Sequence, residues 1–205
     1  MNRVENLQMA QSLAQEFSSR WKGSTPAKIP LFLFVAGFQG AGKTTLLEIL
    51  EPRFGLAIIS LDEVRQRLFD DGVPFSEDFV DIVDLTSDKM IKKAVEGNRS
   101  VGLDTNAVPT RMARYRNVLQ QAGGFKYHTL SVFLDAPKEE LERRVQTRQR
   151  IPRLYRGRVE ELRASLERYG EIDRTAYDLC FDAFVLTSDE IARAVIQQIK
   201  TNLGK

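Results

Sequence analysis

The strongest chemical signal in the chain is a glycine-rich segment followed by a lysine and a threonine. Residues 37–44 read GFQGAGKT and match the pattern G-x-x-x-x-G-K-[ST] in full. In this pattern the glycines let backbone N–H groups point at phosphate oxygens, and the helix that follows adds the positive end of its dipole. Lys43 would reach the β- and γ-phosphates of ATP, and Thr44 would offer its hydroxyl to Mg²⁺. The predicted nucleotide-binding residues are Gly37, Gly40, Ala41, Gly42, Lys43, Thr44 and Thr45.

Kinases, GTPases and ATPase motors share such a loop, and the rest of the chain helps to separate them. The sequence contains no N-K-x-D motif for guanine, no D-x-x-G switch and no L-S-G-G-Q motif. Residues 58–63 resemble the apolar strand ending in Asp-Glu of an ATPase motor, but Asp62 follows Lys43 by only 19 residues. This spacing favours a kinase. An ATPase switch or a nucleic-acid-binding NTPase is the alternative.

Two carboxylates follow predicted strands and are candidates for acceptor chemistry. Asp62 could accept the proton of an attacking hydroxyl, and Arg65, three residues on, could hold an anionic part of the substrate. The alternative is that Asp62 caps a helix and that Arg65 is solvated. Asp104 ends the next strand and could hold a water bound to Mg²⁺, hold a substrate group, or cap the turn.

A cluster of arginines follows the fourth predicted strand, with seven of them in residues 143–158. Arg144 and Arg148 are four residues apart and share one helix face. In kinases a segment of this kind folds over the nucleotide and neutralises the charge that builds up during phosphoryl transfer. We expect such a lid at about 148–158. The alternative is a solvated basic face that attracts nucleic acid.

Strands and helices alternate from residue 30 onward, which predicts the architecture that positions these residues. The expected strands are 31–36, 56–60, 100–103, 129–134 and 183–186, and the expected helices are 43–53, 77–96, 110–121, 138–147, 159–169 and 189–200. The pattern predicts an α/β nucleoside-kinase-like three-layer sandwich, with a five-stranded parallel sheet and helices on both faces. Ligands in such sheets bind at the carboxyl ends of the strands.

The first 28 residues are expected to form an amphipathic helix and a linker, ahead of a kinase domain at 29–205. Apolar residues recur at helical spacing over 3–21. The helix is expected to pack back on the domain, and the alternative is a dimer or partner contact. The N-terminus is too polar for a signal peptide, and the apolar run 31–36 is too short to span a membrane.

The single cysteine, Cys180, excludes an internal disulfide and favours a reducing, cytoplasmic setting. It lies in an apolar stretch and is expected in the core. The segment 69–83 is acidic, and we expect it to repel a polyanionic strand near the acceptor.

Taken in order, these motifs resemble the zeta-toxin and polynucleotide-kinase branch of the P-loop kinases, above all the kinase domains of phage polynucleotide kinases. The similarity runs from about residue 31 to about 169 and is strongest at LDTNAVPTRMARYR and FLDAPKEELERRVQTR. The resemblance implies that ATP, with Mg²⁺, donates its γ-phosphate to a hydroxyl. The acceptor would be a small molecule or a nucleic-acid end, or a nucleotide sugar if the protein is a zeta-like toxin.

The resemblance also implies a role for individual residues. Asp62 matches the general base and Arg65 the ligand of the substrate phosphate. Asp104 matches the acid of the D-T-N motif, and Arg144 and Arg148 match the two lid arginines. The N-terminal helix has no counterpart in that branch.

Overall fold

The computed structural model describes residues 2–21, 29–105, 108–148 and 159–204. The helices are α1 (Arg3–Ser19), α2 (Lys43–Phe54), α3 (Leu61–Asp70), α4 (Glu77–Glu96), α5 (Pro109–Gln121), α6 (Lys138–Arg148), α7 (Val159–Tyr169) and α8 (Ser188–Asn202). The strands are β1 (Leu31–Ala36), β2 (Ala57–Ser60), β3 (Val101–Thr105), β4 (His128–Asp135) and β5 (Leu179–Asp182). Within these ranges no helix is both long and apolar enough to cross a membrane.

The sheet places the strand of the P-loop at its centre. Its order is β2-β3-β1-β4-β5, and every neighbouring pair is parallel. All six residues of β1 are buried because helices cover both faces. Phe34 enters the core that α1, α4 and α5 cover, and Val35 enters the core beneath α2, α6 and α8. This arrangement confirms the predicted α/β fold and its five-stranded parallel sheet.

The N-terminal helix α1 packs along α4 and belongs to the same core. Leu13 and Phe17 are buried there. Asn6 is also buried, and its side-chain nitrogen donates to Asp78 at 2.8 Å and to Asp81 at 3.3 Å. The apolar face of α1 is therefore covered by this chain, as the first of the two alternatives predicted. A dimer or partner contact through other parts of the helix stays a prediction.

The end of α1 also covers the outer strand β2. The Trp21 indole nitrogen donates to the carbonyl oxygen of Ile58 at 3.2 Å. Strand edges carry unpaired backbone groups, so the contact satisfies one of them. Glu16 of α1 is ion-paired with Arg67 of α3 at 3.4 Å. The first helix and the residues just after it thus contact β2 and α3, and α3 carries Asp62.

We expect Phe17→Ala to lower the free energy of unfolding by about 3–5 kcal/mol, because it removes a buried ring and leaves a cavity. Phe17 is 6% exposed, whereas Val4 on the same helix is 62% exposed. Val4→Ala, the matched control, should change stability by less than about 0.5 kcal/mol. Denaturant unfolding of both variants measures the difference. Equal stabilities would show that α1 does not contribute to the folded core.

The last strand lies at Leu179–Asp182, and the prediction of a strand at 183–186 was wrong. The Asp182 side chain accepts hydrogen bonds from the backbone nitrogens of Phe184 at 2.8 Å and Val185 at 3.2 Å, which fixes a turn. Phe184 and Val185 are apolar but 60% and 71% exposed. Cys180 is exposed, not buried as expected, because β5 is an outer strand with alternating burial.

Candidate active site

The P-loop has the backbone geometry that its glycines predict. Gly37 and Gly40 have φ angles of +148° and +86°, which residues with a side chain rarely adopt. A Cβ at Gly37 would lie 2.4 Å from the carbonyl oxygen of Leu134, so the loop packs too closely against the end of β4 for any other residue. Lys43 begins α2, is buried, and donates from Nζ to the carbonyl oxygen of Phe38 at 3.2 Å. The lysine thus curls over its own loop.

Asp104 lies beside the P-loop lysine and threonine. Strand β3 pairs with β1 so that Asp104 is opposite Val35. The Thr44 hydroxyl donates to Asp104 Oδ2 at 2.8 Å, and Lys43 Nζ is 3.8 Å from Asp104 Oδ1. Burial raises the pKa of the Asp104 carboxyl, while the charge of Lys43 and the Thr44 hydrogen bond act against this rise. The Asp104 carboxylate and the Thr44 hydroxyl therefore lie together at the end of the P-loop that is expected to bind the phosphates.

Asp62 occupies the first turn of α3, at the end of β2. The cap of this helix is Ser60, whose hydroxyl accepts from the backbone nitrogen of Glu63 at 3.4 Å. Arg65 is buried and donates from Nη1 to Asp62 Oδ1 at 2.7 Å. The alternative of a capping Asp62 and a solvated Arg65 is therefore wrong on both counts. Ser60, the last residue of β2, pairs with Asp104 of β3, so both carboxylates lie at the carboxyl ends of neighbouring strands. The negative charge of Asp62 adds to the effect of burial in raising the pKa of Asp104.

A cavity of about 370 Å³ opens beside the second half of the P-loop. Residues 40–42 and Thr45 line one side, and the turn at 183–187 with the start of α8 lines the other. Apolar side chains of the turn border this cavity next to backbone groups of the loop. A cavity of this size suits a small ligand with a flat apolar part. Its position next to the P-loop makes it the candidate site for the base and ribose of a nucleotide.

Arg144 joins the two walls of the nucleotide cavity. Its Nη2 donates to the carbonyl oxygen of Ala183 at 2.8 Å, and its Nη1 donates to that of Gly40 at 3.2 Å. Its Nε donates to Glu140 at 2.6 Å. Arg144 therefore borders this cavity, and its donors are directed at Glu140 and at backbone carbonyls of the cavity walls. Its predicted role as a lid arginine that neutralises phosphoryl charge stays a prediction. Arg148 ends α6, but its side chain lies outside the described residues. So does the rest of the lid that was predicted at about 148–158.

Two parts of the site were missed by sequence reasoning. One is Gln39 of the P-loop, whose buried Oε1 has no hydrogen-bond partner among the described residues. The other is the turn at 183–187. A sequence signal for that turn existed at Asp182, because aspartate often accepts hydrogen bonds from the next backbone nitrogens and starts a turn, as it does here. No pattern in the sequence singled out Gln39.

Several solved structures share this fold. A gluconokinase from Sinorhizobium meliloti is 20% identical, with a TM-score of 0.57 and coverage of 86% of this chain and 97% of that chain. A sugar kinase from Janibacter is 18% identical, with a TM-score of 0.57 and coverage of 82% and 93%. A shikimate kinase from Bacteroides thetaiotaomicron is 21% identical, with a TM-score of 0.54 and coverage of 85% and 99%.

At these identities the likeness establishes the fold. A sequence search of curated proteins finds no significant match. The sequence model of one family does match, over residues 32–169, which include the P-loop, Asp62, Asp104 and all of α7. Because this match covers more than half of the chain, the protein belongs to the AAA domain family AAA_33.

Proposed function

We propose that this protein is an ATP-dependent kinase that transfers the γ-phosphate of ATP to a hydroxyl group. The observation that carries the proposal is the separation of two carboxylates along the carboxyl edge of the sheet. Asp104 is hydrogen-bonded to Thr44 of the P-loop, and Asp62 is held by the buried Arg65 one strand further out. In this proposal Asp104 serves the nucleotide and Asp62 serves the acceptor.

The residues at the P-loop fit a magnesium ion. Mg²⁺ takes oxygen ligands and is usually held by one or two carboxylates together with substrate phosphates. Thr44 and Asp104 supply a hydroxyl and a carboxylate 2.8 Å apart. The described part of the chain has no group of three or more His, Cys, Asp or Glu that could hold a metal by itself. When bound with ATP, the ion would neutralise charge on the phosphates.

The remaining residues act on the phosphates and the acceptor. Lys43 and the backbone N–H groups of the P-loop bind the phosphates and compensate the charge of the transferred group. Asp62, oriented by Arg65, accepts the proton of the acceptor hydroxyl. The acceptor oxygen then forms a bond to the γ-phosphorus, the bond between this phosphorus and the bridging oxygen breaks, and ADP leaves. Arg144 holds the walls of the nucleotide cavity in place.

An ATPase switch is the second candidate, because the chain belongs to an AAA domain family. In a motor the Asp-Glu pair ends a strand close to the P-loop. Here the strand beside β1 ends in Asp104 and Thr105, whereas Asp62 and Glu63 follow β2, which is separated from β1 by β3. The residue that follows Asp104 is therefore Thr105, where a motor site would have its second carboxylate. This placement favours the kinase.

As a finer proposal, we assign the protein to the zeta-toxin and polynucleotide-kinase branch of the P-loop kinases. It is supported by the Asp62–Arg65 pair and by the D-T-N motif that begins at Asp104. Growth arrest on expression, relieved by Asp62→Asn, would support a toxin-like kinase. Normal growth of cells that express the wild-type protein would argue against that reading.

The direct test of the kinase proposal is phosphate transfer itself. The protein is incubated with γ-labelled ATP, Mg²⁺ and a panel of oligonucleotides, nucleotide sugars and small polyols, and the product that takes the label is identified. Transfer to any hydroxyl supports the kinase. Steady hydrolysis of ATP at the same rate with and without every acceptor would support the ATPase switch.

We expect Asp104→Asn to raise the Mg²⁺ concentration needed for half-maximal activity by about 10–100-fold, because the variant loses a negative oxygen ligand near the ion. Asp62→Asn serves as the contrast, since Asp62 is assigned to the acceptor and its loss should leave the Mg²⁺ requirement unchanged. A magnesium titration of activity in both variants measures this. An unchanged requirement in Asp104→Asn would exclude Asp104 from the metal site.

A further inference from the structure

A second cavity opens beside the P-loop and is separate from the nucleotide cavity. Its volume is about 510 Å³, within the range of small-molecule sites. Phe38 of the P-loop lines it, whereas residues 40–42 line the nucleotide cavity, and the two cavities share no lining residue. The carbonyl oxygen of Phe38 accepts the hydrogen bond from Lys43 Nζ at 3.2 Å. A molecule in the second cavity would therefore lie next to the phosphate site without displacing the nucleotide.

The floor of this cavity is apolar and largely aromatic. Phe133 of β4 is almost fully buried, and its ring centre lies 4.9 Å from that of Tyr177, so its position is fixed by packing. Phe38 is half-buried, and Leu166 and Ile172 add aliphatic surface from α7 and the loop after it. Rigid aromatic surfaces of this kind bind flat apolar faces. The floor suits the C–H face of a ring.

The rim of the cavity is acidic. Among the lining residues that the structure describes, there are three carboxylates and one guanidinium, so their charges sum to −2; these residues are Asp135, Glu171, Asp173 and Arg174. Arg174 is itself ion-paired with Asp135. Hydrogen bonds from Thr175 lower the pKa of Asp173, so this group is ionised at neutral pH. An ionised carboxylate can only accept hydrogen bonds, so the rim favours groups that donate them.

This charge discriminates between classes of acceptor. A phosphate or carboxylate placed among the rim carboxylates would be repelled at short distance. Hydroxyl and ammonium groups would instead donate hydrogen bonds to Glu171 and Asp173. The acidic segment at 69–83 contributes no residue to the lining of this cavity, so it does not bear on this argument. The rim of the second cavity therefore carries the inference.

We propose that the second cavity binds the body of the phosphate acceptor, and that the acceptor is a hydroxylated ring without anionic groups, of the monosaccharide or amino-sugar type. The inference rests on the proposed kinase function and narrows its acceptor. It replaces the nucleic-acid ends and nucleotide sugars that the resemblance to the zeta-toxin and polynucleotide-kinase branch implies. The ring lies against Phe38 and Phe133, its hydroxyl or ammonium groups donate to Glu171 and Asp173, and the reacting hydroxyl faces the P-loop.

The first test uses the full chain with γ-labelled ATP and Mg²⁺. Three groups of acceptors are compared: monosaccharides with their amino sugars, such as glucose and glucosamine; oligonucleotides with a free terminal hydroxyl; and nucleotide sugars. We expect label in the first group alone. Label on an oligonucleotide or a nucleotide sugar would overturn this inference and leave the kinase proposal standing. Saturable binding of ring alcohols with no label in any group would support the cavity and contradict the kinase.

If ring alcohols neither bind nor take label, the inference is overturned as well.

The second test asks where the acceptor binds. Phe38→Ala should weaken acceptor binding by about tenfold through loss of the aromatic floor. Phe125→Ala is the matched control, because Phe125 is 82% exposed and lines neither cavity. Equal acceptor affinity in these two variants would show that the acceptor does not bind in this cavity.

The third test addresses the charge of the rim. Glu171→Lys should weaken binding of the amino sugar by about tenfold and that of the matched neutral sugar by much less, because only the ammonium group loses an attractive charge. Isothermal titration with both sugars measures the difference. A merely structural effect of the substitution would weaken binding of both sugars equally. That result would show that the charge of the rim does not select the acceptor.

Discussion

Lys43→Ala should lower the rate of phosphotransfer by about 10²–10³-fold and weaken ATP binding. The ammonium group lies in a nearly buried position, 3.2 Å from the carbonyl oxygen of Phe38, where it is held over the phosphate site. Charge-assisted contacts in such places contribute about 1.5–3 kcal/mol each. Alanine has no donor that could replace this contact. Turnover and the dissociation constant of ATP are the two quantities to measure.

The control for this variant must separate chemistry from folding. Lys126→Ala removes an exposed lysine in the connection between α5 and β4, far along the chain from the P-loop, and should leave both quantities unchanged. Lys43→Ala also deprives Asp104 of its nearby cation, so its thermal unfolding is recorded beside its activity. Wild-type turnover and ATP affinity in a folded Lys43→Ala variant would remove the P-loop from the proposed function.

The sequence was sufficient to place the P-loop with the strand before it and the helix after it, although α3 at Leu61–Asp70 was not predicted. The helix at 77–96 was predicted at both ends, because its apolar residues keep a helical period between Ser76, which caps its start, and Gly97. The P-loop pattern fixes its own context, since it requires a strand before it and a helix after it. These features depend on residues that are close together in the chain.

The features that sequence could not supply depend on residues that are far apart. Whether Asp104 serves the nucleotide or the acceptor depends on β3 lying beside β1, which sets Asp104 opposite Val35. No local sequence pattern predicts the order of the strands in the sheet. In the same way, the donors of Arg144 reach Gly40 and Ala183, which are 104 and 39 residues away. A helix-face argument could place this arginine near the site without showing what it contacts.

The error at the last strand has a different origin. Residues 183–186 are apolar, and a short apolar run is typical of a buried strand. The side chain of Asp182 instead binds the next backbone nitrogens and turns the chain, so that Phe184 and Val185 stay at the surface beside the nucleotide cavity. Exposed apolar residues at a cavity mark a binding surface more often than a core.

The proposed division of work between the two carboxylates predicts a specific phenotype for Asp62→Asn. The amide keeps the shape of the carboxylate but cannot accept the acceptor proton, and general-base assistance contributes about 10²–10⁴-fold. The bond to the acceptor oxygen is weak in the transition state of phosphoryl transfer, so part of this loss reflects positioning of the hydroxyl. Turnover with a competent acceptor should fall by at least about 10²-fold.

Binding of ATP should change little in the same variant, because it is Asp104, and not Asp62, that contacts Thr44 and Lys43 of the P-loop. The substitution also removes the charge that Arg65 balances inside the protein, so Arg65→Lys is made in parallel. Lysine keeps the charge but loses the planar donor geometry that orients Asp62, and it should lower turnover less than Asp62→Asn does. If Asp62→Asn lost Mg²⁺ and ATP binding in step with activity, Asp62 would be a metal ligand. The Asp62-Glu63 pair would then regain its interpretation as the carboxylate pair of an ATPase, and the kinase proposal would lose its base.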